Sequence, residues 1–283
     1  MRPKVEDHKD TLRALARACA AGCLNEARQL ADEAELSEYD ADMHMLSAEA
    51  CRYDRVQIVQ WLIARFGYAN KSDRLWRLFG DASQYGALGV ARWLVGRLDL
   101  GGADARARGG SISRVLTITC AAGRLGFARW LVAAFGLTAA DIRADDDAAL
   151  RTACHFGRLA VAQWLTDHFG LGPANARADD NEALRRACTN GHLETAQWLA
   201  DAFGLGPADA RARDNEALRW ACYNGHVEVV AWLAATFGLG PADFHDKGPG
   251  GIHFSAAHAA HRCPAMSQWL AARWPALGAA AAE

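Results

Sequence analysis

The sequence predicts an all-α protein, a solenoid of about eight stacked helix-turn-helix repeats. One observation is the dipeptide Trp-Leu, which recurs at intervals of 32 to 37 residues, with its Trp at positions 61, 93, 130, 164, 198, 232 and 269. A second is the small residue ten positions before each Trp, and these residues are Cys51, Ser83, Cys120, Cys154, Cys188, Cys222 and Ala259. A glycine follows this small residue by three positions in five of the seven repeats. Self-similarity at a regular period is the signature of a repeat architecture.

The repeat at residues 179–212 is the clearest, and its first half predicts a short helix at 182–189. Leu184 and Cys188 are four positions apart and therefore share one face of that helix. The helix is too short to bury this face alone, so neighbouring repeats must stack into one continuous core.

Turn and cap signals bound both helices of this repeat. Asp179 and Glu182 have the spacing of a capping box, in which each side chain satisfies a backbone N–H at the start of the helix. Gly191 is expected to end the first helix, because glycine tolerates the left-handed conformation of a helix stop. A second helix is predicted at 193–203, and Gly204 is expected to end it.

This unit resembles the ankyrin repeat, whose first helix carries Thr-Pro-Leu-His-x-Ala-Ala followed by Gly-His. Residues 182–188 read Glu-Ala-Leu-Arg-Arg-Ala-Cys and precede Gly191-His192, and residues 216–222 read Glu-Ala-Leu-Arg-Trp-Ala-Cys and precede Gly225-His226. Thr-Pro is missing, and arginine replaces the usual histidine. The resemblance extends from about residue 11 to 272 and implies an ankyrin-type solenoid. The variant with Trp-Leu and Phe-Gly-Leu is similar to ankyrin arrays of large DNA viruses and some protists.

The spacing predicts a single domain over 1–283, with a weaker first repeat in which Gln29 takes the place of the Trp. The predicted repeats are 11–41, 42–73, 74–110, 111–144, 145–178, 179–212, 213–249 and 250–273, followed by a short tail at 274–283.

Residues that stay constant between repeats are expected to serve the stack. Leu150, Leu184 and Leu218 are predicted to fill the contact between neighbouring first helices. The recurring Trp is predicted to be buried, so that truncation to Ala would cost about 3–5 kcal/mol. The recurring Cys is expected to act as a small hydrophobe. Stacked helices lie about 8–10 Å apart, too far for disulfides between equivalent cysteines, so free thiols in a reducing compartment are expected.

Composition limits the classes of partner. The chain has 31 Lys+Arg against 33 Asp+Glu, so no large single-sign field and no nucleic-acid partner are expected. No apolar run is long enough to span a membrane, and the polar N-terminus does not resemble a secretory signal. These features predict an intracellular, cytoplasmic protein, in the host cell if it is viral.

Several residue patterns could suggest a metal site or a catalytic site, but a structural interpretation is favoured for each. Cys188/His192 has a spacing that zinc sites on helices use, but the intervening Gly191 breaks the helix. A Cys nucleophile with a His base needs a pocket, which regular stacking does not provide. The histidines at positions 245, 253, 258 and 261 could bind a metal, although a degenerate capping repeat is the favoured interpretation. No catalytic residue, metal or cofactor is therefore predicted.

Charged side chains at the first helices could likewise serve either ligand binding or the structure of the stack. The aspartate-rich turns, Asp145-Asp146-Asp147 and Asp179-Asp180, could suggest calcium, and helix capping is favoured. The arginines at positions 151, 185 and 219 are expected to bond to these turns or to carbonyls across repeats, with a phosphate-binding ladder as the alternative.

Variable positions indicate where binding should occur. The resemblance implies a concave face lined by first helices and loop tips, and large side chains vary there between repeats that otherwise repeat faithfully. The predicted partner-binding residues are Tyr53, Tyr85, His155, Phe156, Arg186, Trp220 and Tyr223. Aromatic residues and arginine dominate binding hot spots. The predicted function is a monomeric, non-catalytic scaffold or adaptor for a partner protein of unknown identity. A structural, self-assembling component is the alternative, and a cysteine/histidine enzyme is a remote third.

Overall fold

The computed structural model describes residues 5–36, 43–66, 72–97, 109–143, 147–244 and 263–275. All regular secondary structure in these ranges is helical, which confirms the predicted all-α class. The chain divides into two compact units, Met1–Leu137 and Thr138–Glu283. The predicted features at Asp145, Asp146 and the histidines 245, 253, 258 and 261 lie outside the described residues.

In the first unit, helices alternate between the first and second members of a repeat. They are α1 (Val5–Ala21), α2 (Leu24–Glu33), α3 (Met43–Arg52), α4 (Val56–Arg65), α5 (Ser72–Tyr85), α6 (Leu88–Arg97), α7 (Gly109–Ala122) and α8 (Leu125–Phe135). The first helices pack in chain order, α1 on α3, α3 on α5 and α5 on α7, and each second helix packs on the first helix of its own repeat.

A cluster of aromatic rings holds the last two repeats of this unit together. The Phe79 ring of α5 lies 6.3 Å from the ring of Trp130 and 6.2 Å from that of Phe135, centroid to centroid, and both of these belong to α8. Phe79 is fully buried. The first helix of one repeat therefore contacts the second helix of the next, as the stacked-repeat prediction requires.

In the second unit, a short helix precedes each pair of longer ones. The helices are α9 (Ala139–Arg143), α10 (Ala148–His155), α11 (Leu159–Phe169), α12 (Pro173–Ala176), α13 (Ala178–Thr189), α14 (Leu193–Phe203), α15 (Pro207–Ala210), α16 (Ala212–Tyr223), α17 (Val227–Phe237), a 3₁₀ helix (Pro241–Phe244) and α18 (Pro264–Arg273). The first helices α10, α13 and α16 pack side by side in that order.

The two helices predicted for residues 179–212 are confirmed. The second helix runs from Leu193 to Phe203 as expected, and Gly204 ends it with φ 58°. Gly191 adopts φ 77° after the first helix. A Cβ added to Gly191 would lie 2.5 Å from Nδ1 of His226, which belongs to the next repeat. Glycine is therefore needed here both for its backbone conformation and for the approach of a neighbouring side chain.

The short helices between repeats were not predicted. In α15, Pro207 occupies the first turn, and the carboxylate of Asp209 accepts a hydrogen bond from the N–H of Gly206 at 2.8 Å. Proline at the start of a helix and a carboxylate at its third position are recognisable start signals. The segment Gly-Pro-Ala-Asp could have been identified as a helix start rather than as a polar connection.

The predicted capping box at Asp179 and Glu182 is wrong. Asp179, Asp180 and Asn181 all have positive φ, at 47°, 53° and 61°, so the regular helix begins only after them. The Asp179 carboxylate pairs with Arg151 and Arg213, and the Glu182 carboxylate pairs with Arg151 and Arg186. Asp147 likewise makes no capping bond with its side chain.

A buried arginine stabilises this left-handed turn. Arg185 is 1% exposed, and its guanidinium donates to the carbonyl oxygens of Asp179 and Asp180, both at 2.8 Å. The same guanidinium also pairs with the carboxylate of Glu216 in the next repeat. Left-handed residues other than glycine each cost about 1–2 kcal/mol, so these bonds offset a real strain. The prediction that these arginines bond to the turns and across repeats is confirmed for Arg185.

Side chains between neighbouring first helices are fully buried, as predicted. Leu150, Leu184 and Leu218 are 0% exposed, and Cys188 is also 0% exposed. The recurring Trp differs from the prediction, because Trp198 is only half-buried and rests its edge on Phe203, with ring centroids 5.6 Å apart. The phenylalanine five residues later, Phe203, is buried instead.

Replacement of Leu184 by Ala is expected to lower the free energy of unfolding by about 2–5 kcal/mol, because it leaves a cavity between stacked helices. Trp198→Ala is expected to cost less than the 3–5 kcal/mol typical of a buried Trp, since much of the indole already contacts solvent. Urea denaturation followed by circular dichroism measures both. A larger loss for Trp198→Ala than for Leu184→Ala would contradict this assignment of the core.

Replacement of Arg185 by Met is expected to cost about 3 kcal/mol or more, because Glu216 and two turn carbonyls lose their buried partner. The neighbouring Arg186→Met is the matched control. Arg186 is exposed and its pair with Glu182 contributes at most about 1 kcal/mol. Equal effects of the two substitutions on urea denaturation would show that the left-handed turn does not depend on Arg185.

Candidate protein-binding surface

The C-terminal ends of first helices α10, α13 and α16 form a continuous surface of the second unit. Each helix contributes three side chains at equivalent positions, and α13 packs between the other two. We call this set the first-helix surface; its members are Thr152, His155 and Phe156 at the end of α10, Arg186, Thr189 and Asn190 at the end of α13, and Trp220, Tyr223 and Asn224 at the end of α16. The third residue of each set directly follows its helix. Five of the seven predicted binding residues belong to this surface.

Phe156 is the most exposed large hydrophobic side chain described in this unit, with 44% of its surface accessible. Its ring meets the His155 imidazole edge to face, with centroids 4.5 Å apart. Burial lowers the pKa of His155, and the nearby Arg186 guanidinium lowers it further, although Glu182 opposes this effect. The imidazole is therefore neutral at neutral pH, and the pair presents a largely apolar surface.

Arg186 and Asn190 continue this surface on the next helix. Arg186 is exposed and its Nε donates to the Glu182 carboxylate at 3.2 Å. The Asn190 amide nitrogen donates to the Arg186 carbonyl at 2.9 Å and lies 3.3 Å from Nδ1 of His155. A neutral His155 can accept that bond, so the amide fixes the position of the imidazole across two repeats.

Trp220 and Tyr223 place two further aromatic rings on the third helix. Both are half-buried, and their centroids lie 5.4 Å apart in an edge-to-face arrangement. Beside them, the amide nitrogen of Asn224 donates to the Thr189 carbonyl of the preceding repeat at 2.8 Å. The same surface thus carries aromatic, amide and cationic groups.

The two remaining predicted residues lie in the first unit. Tyr53 is 51% exposed, whereas Tyr85 is half-buried beneath Arg52, whose guanidinium carbon lies 5.4 Å from the Tyr85 ring centre. They occupy the C-terminal ends of consecutive repeats' first helices, as Phe156 and Asn190 do in the second unit. Their role in binding stays a prediction, as it does for the residues of the first-helix surface.

Sequence analysis missed two features, one on the first-helix surface and one in the first unit. Asn190 and Asn224 bridge repeats through their amides, and the signal was the repetition of asparagine at equivalent positions. The other is a local charge imbalance: residues 74–137 contain nine arginines and three aspartates, without lysine or glutamate. Summing charge over the whole chain hid this excess, so the expectation of no single-sign field does not hold for this segment.

Burial suppresses the reactivity of the recurring first-helix cysteines. Cys154 and Cys188 are fully buried, and burial raises the pKa of both thiols. Burial also raises the pKa of the Cys120 thiol to about 12. Because the thiolate is the nucleophile and the metal ligand, these cysteines are chemically inert in the folded protein. Among the described residues, no three His, Cys, Asp or Glu side chains are grouped closely enough to hold a metal ion.

Comparison with known proteins gives the family. A family model described as ankyrin repeats (many copies) matches residues 150–200 and 184–234. Together these ranges contain helices α11 to α16 and most of α10 and α17. Residues 150–234 are therefore ankyrin repeats, as the repeat pattern of the sequence predicted. A search of the curated proteins finds no match.

Ankyrin repeats generally mediate protein–protein interaction, which makes a protein the expected kind of partner. None of the helices in the described part of the chain is both long enough and apolar enough to cross a membrane.

Thiol titration should separate the cysteines by burial. Cys23 is exposed and Cys263 is half-buried, whereas the other six are buried. We expect native protein to show one fast thiol, abolished by Cys23→Ser, and all eight thiols to react after denaturation. Rapid modification of more than two thiols in native protein would contradict the buried positions.

Proposed function

We propose that this protein is a non-catalytic scaffold or adaptor that binds a partner protein through the first-helix surface. The observation that carries the proposal is the contrast between two sets of first-helix positions. Leucine, alanine and cysteine recur where neighbouring first helices meet, while most of the outward positions differ from repeat to repeat. Stacking leaves the outward side chains unspecified, so binding is free to determine them.

The chemistry of the surface fits protein recognition. Phe156, Trp220 and Tyr223 supply rigid aromatic area, and Arg186 supplies a cation beside it. These are the residue types whose truncation costs most at interfaces. The hydrogen bonds of Asn190 and Asn224 hold the helix ends in place, which reduces the entropy lost when a partner binds.

The exposed charges of α2 favour a monomeric adaptor over the self-assembling alternative. Glu26, Arg28, Asp32 and Glu33 are exposed on this helix of the first repeat. A solvated helix of this kind suits the polar outer face of a capping repeat rather than an apolar end that stacks on another copy. Buried thiols in six repeats suit a reducing, intracellular compartment.

Substitutions borrowed from neighbouring repeats test the surface without disturbing the stack. Phe156→Asn introduces the residue found at 190 and 224, Trp220→Thr that at 152, and Tyr223→Thr that at 189. Each truncation of a hot spot costs about 2 kcal/mol or more. Two such substitutions together are expected to weaken the affinity for the partner at least several-hundred-fold.

The measurement is quantitative mass spectrometry of proteins captured from the native cell, with affinities then determined for a purified captured protein. Gln163→Ala and Gln197→Ala are controls on the second helices and should retain capture. Retention of the same partner at unchanged affinity by the triple variant would refute the first-helix surface. A large fall in its melting temperature would show that the three aromatic residues are needed for packing.

A further inference from the structure

The segment 74–137 has a surplus of six positive charges in a chain whose net charge is −2. All of its cations are arginines, and Asp81 is the one carboxylate among the described residues of the segment. Asp81 lies on first helix α5, where its carboxylate approaches His44 at 3.7 Å. The surplus on the second helices α6 and α8 is therefore not neutralised by it.

Three arginines of these second helices point to solvent. Arg92 and Arg97 lie on α6, Arg129 lies on α8, and all three are exposed. We call them the arginine face. Within the part of the chain that the structure describes, none of the three has a carboxylate within ion-pair distance. Arg65 on α4, by contrast, pairs with Asp32 at 3.7 Å.

The space beside these arginines is open. Gly96 lies one turn after Arg92 on α6, and Gly126 lies one turn before Arg129 on α8. A Cβ added to either glycine would meet no atom of the described residues within 4 Å. A polypeptide can therefore approach the guanidinium groups along the outside of both helices.

The stack does not require arginine at these positions. Arg92 and Arg129 each directly precede the recurring Trp, and the equivalent residues in other repeats are Gln60, Gln163, Gln197, Ala231 and Gln268. Four repeats thus use an uncharged side chain of similar length. The two arginines add charge without adding a packing contact that the fold needs.

We propose that the arginine face binds an acidic, carboxylate-rich segment of a partner protein. Arginine recognises carboxylates through paired, charge-assisted hydrogen bonds. Stacked helices generally lie about 8–10 Å apart, so we expect Arg92 and Arg129 to match two acidic residues about three positions apart in an extended chain. The half-buried indoles of Trp93 and Trp130 flank the arginines and offer apolar contact to such a segment.

A protein segment fits this face better than a nucleic acid. Three solvent-facing arginines are fewer than the roughly 6–10 phosphate contacts of a typical nucleic-acid complex. The arginine face also has no equivalent on second helices α11, α14 and α17. Before the recurring Trp, these helices carry Gln163, Gln197 and Ala231. The arginine face and the first-helix surface share no residues.

The test is fluorescence anisotropy of the full chain with a labelled peptide that carries glutamate at every third position. The variant Arg92→Gln/Arg129→Gln places at both positions the residue of the other repeats, so folding should be retained and checked by circular dichroism. We expect the double variant to bind the peptide about tenfold more weakly than the parent does. We also expect the parent's affinity for the peptide to weaken as the salt concentration is raised. The same peptide with glutamine in place of glutamate should not bind.

A variant with the parent's net charge shows whether peptide binding depends on the arginine face or only on the overall charge of the protein. Arg92→Gln/Arg129→Gln/Gln163→Arg/Gln268→Arg keeps the parent's net charge but leaves no two neighbouring repeats with arginine directly before the recurring Trp. It should bind the acidic peptide as weakly as the double variant. Binding at parent affinity, or no binding of the peptide by the parent, would overturn the proposal. Tighter, Arg92-dependent binding of a labelled single-stranded oligodeoxynucleotide would overturn it in favour of a nucleic-acid partner.

Discussion

Neighbouring first helices can lie side by side only because the side chains between them are small. Ala187, Cys188, Ala221 and Cys222 are at most 2% exposed, and they let α13 and α16 approach closely. Leu184 and Leu218 then fill the remaining space in each repeat. A larger residue at the cysteine position would separate the helices and break the continuity of the core, since overpacked cores are strained. Cysteine thus recurs for a steric reason, and burial makes its thiol unreactive by raising the thiol pKa.

Apolar contact is non-directional, so polar side chains must set the register between repeats. Arg185 ties the left-handed turn of its own repeat to Glu216 of the next. On the other side of the repeat, Arg177 forms two hydrogen bonds to the Asp209 carboxylate, at 2.9 and 3.1 Å. Burial alone would raise the pKa of Asp209, but its bonds to Arg177 and to the Gly206 N–H outweigh that effect and lower it. The carboxylate stays charged, and its bonds have a fixed geometry.

Local signals made the longer helices predictable, whereas contacts between repeats caused the errors. The ends of α14 follow from its own residues, Leu193 to Phe203 with Gly204 after them, and they were predicted correctly. The turn at 179–181 depends on Arg185 and on Arg213 of the next repeat, so a local capping pattern was misleading. Exposure of Trp198 could not be derived either, because it depends on the space that the neighbouring Phe203 leaves.

Within a repeat, the inward positions of both helices are fixed by stacking, and the outward positions of each are free to vary independently. The first helices of the second unit use this freedom for aromatic and amide groups, such as Phe156 and Asn190. The second helices α6 and α8 use it for arginine, where four other repeats have glutamine. Since neither choice alters the core, one repeat framework can carry two surfaces of different chemistry. Comparing equivalent positions within the chain therefore separates residues that serve the fold from residues available for recognition.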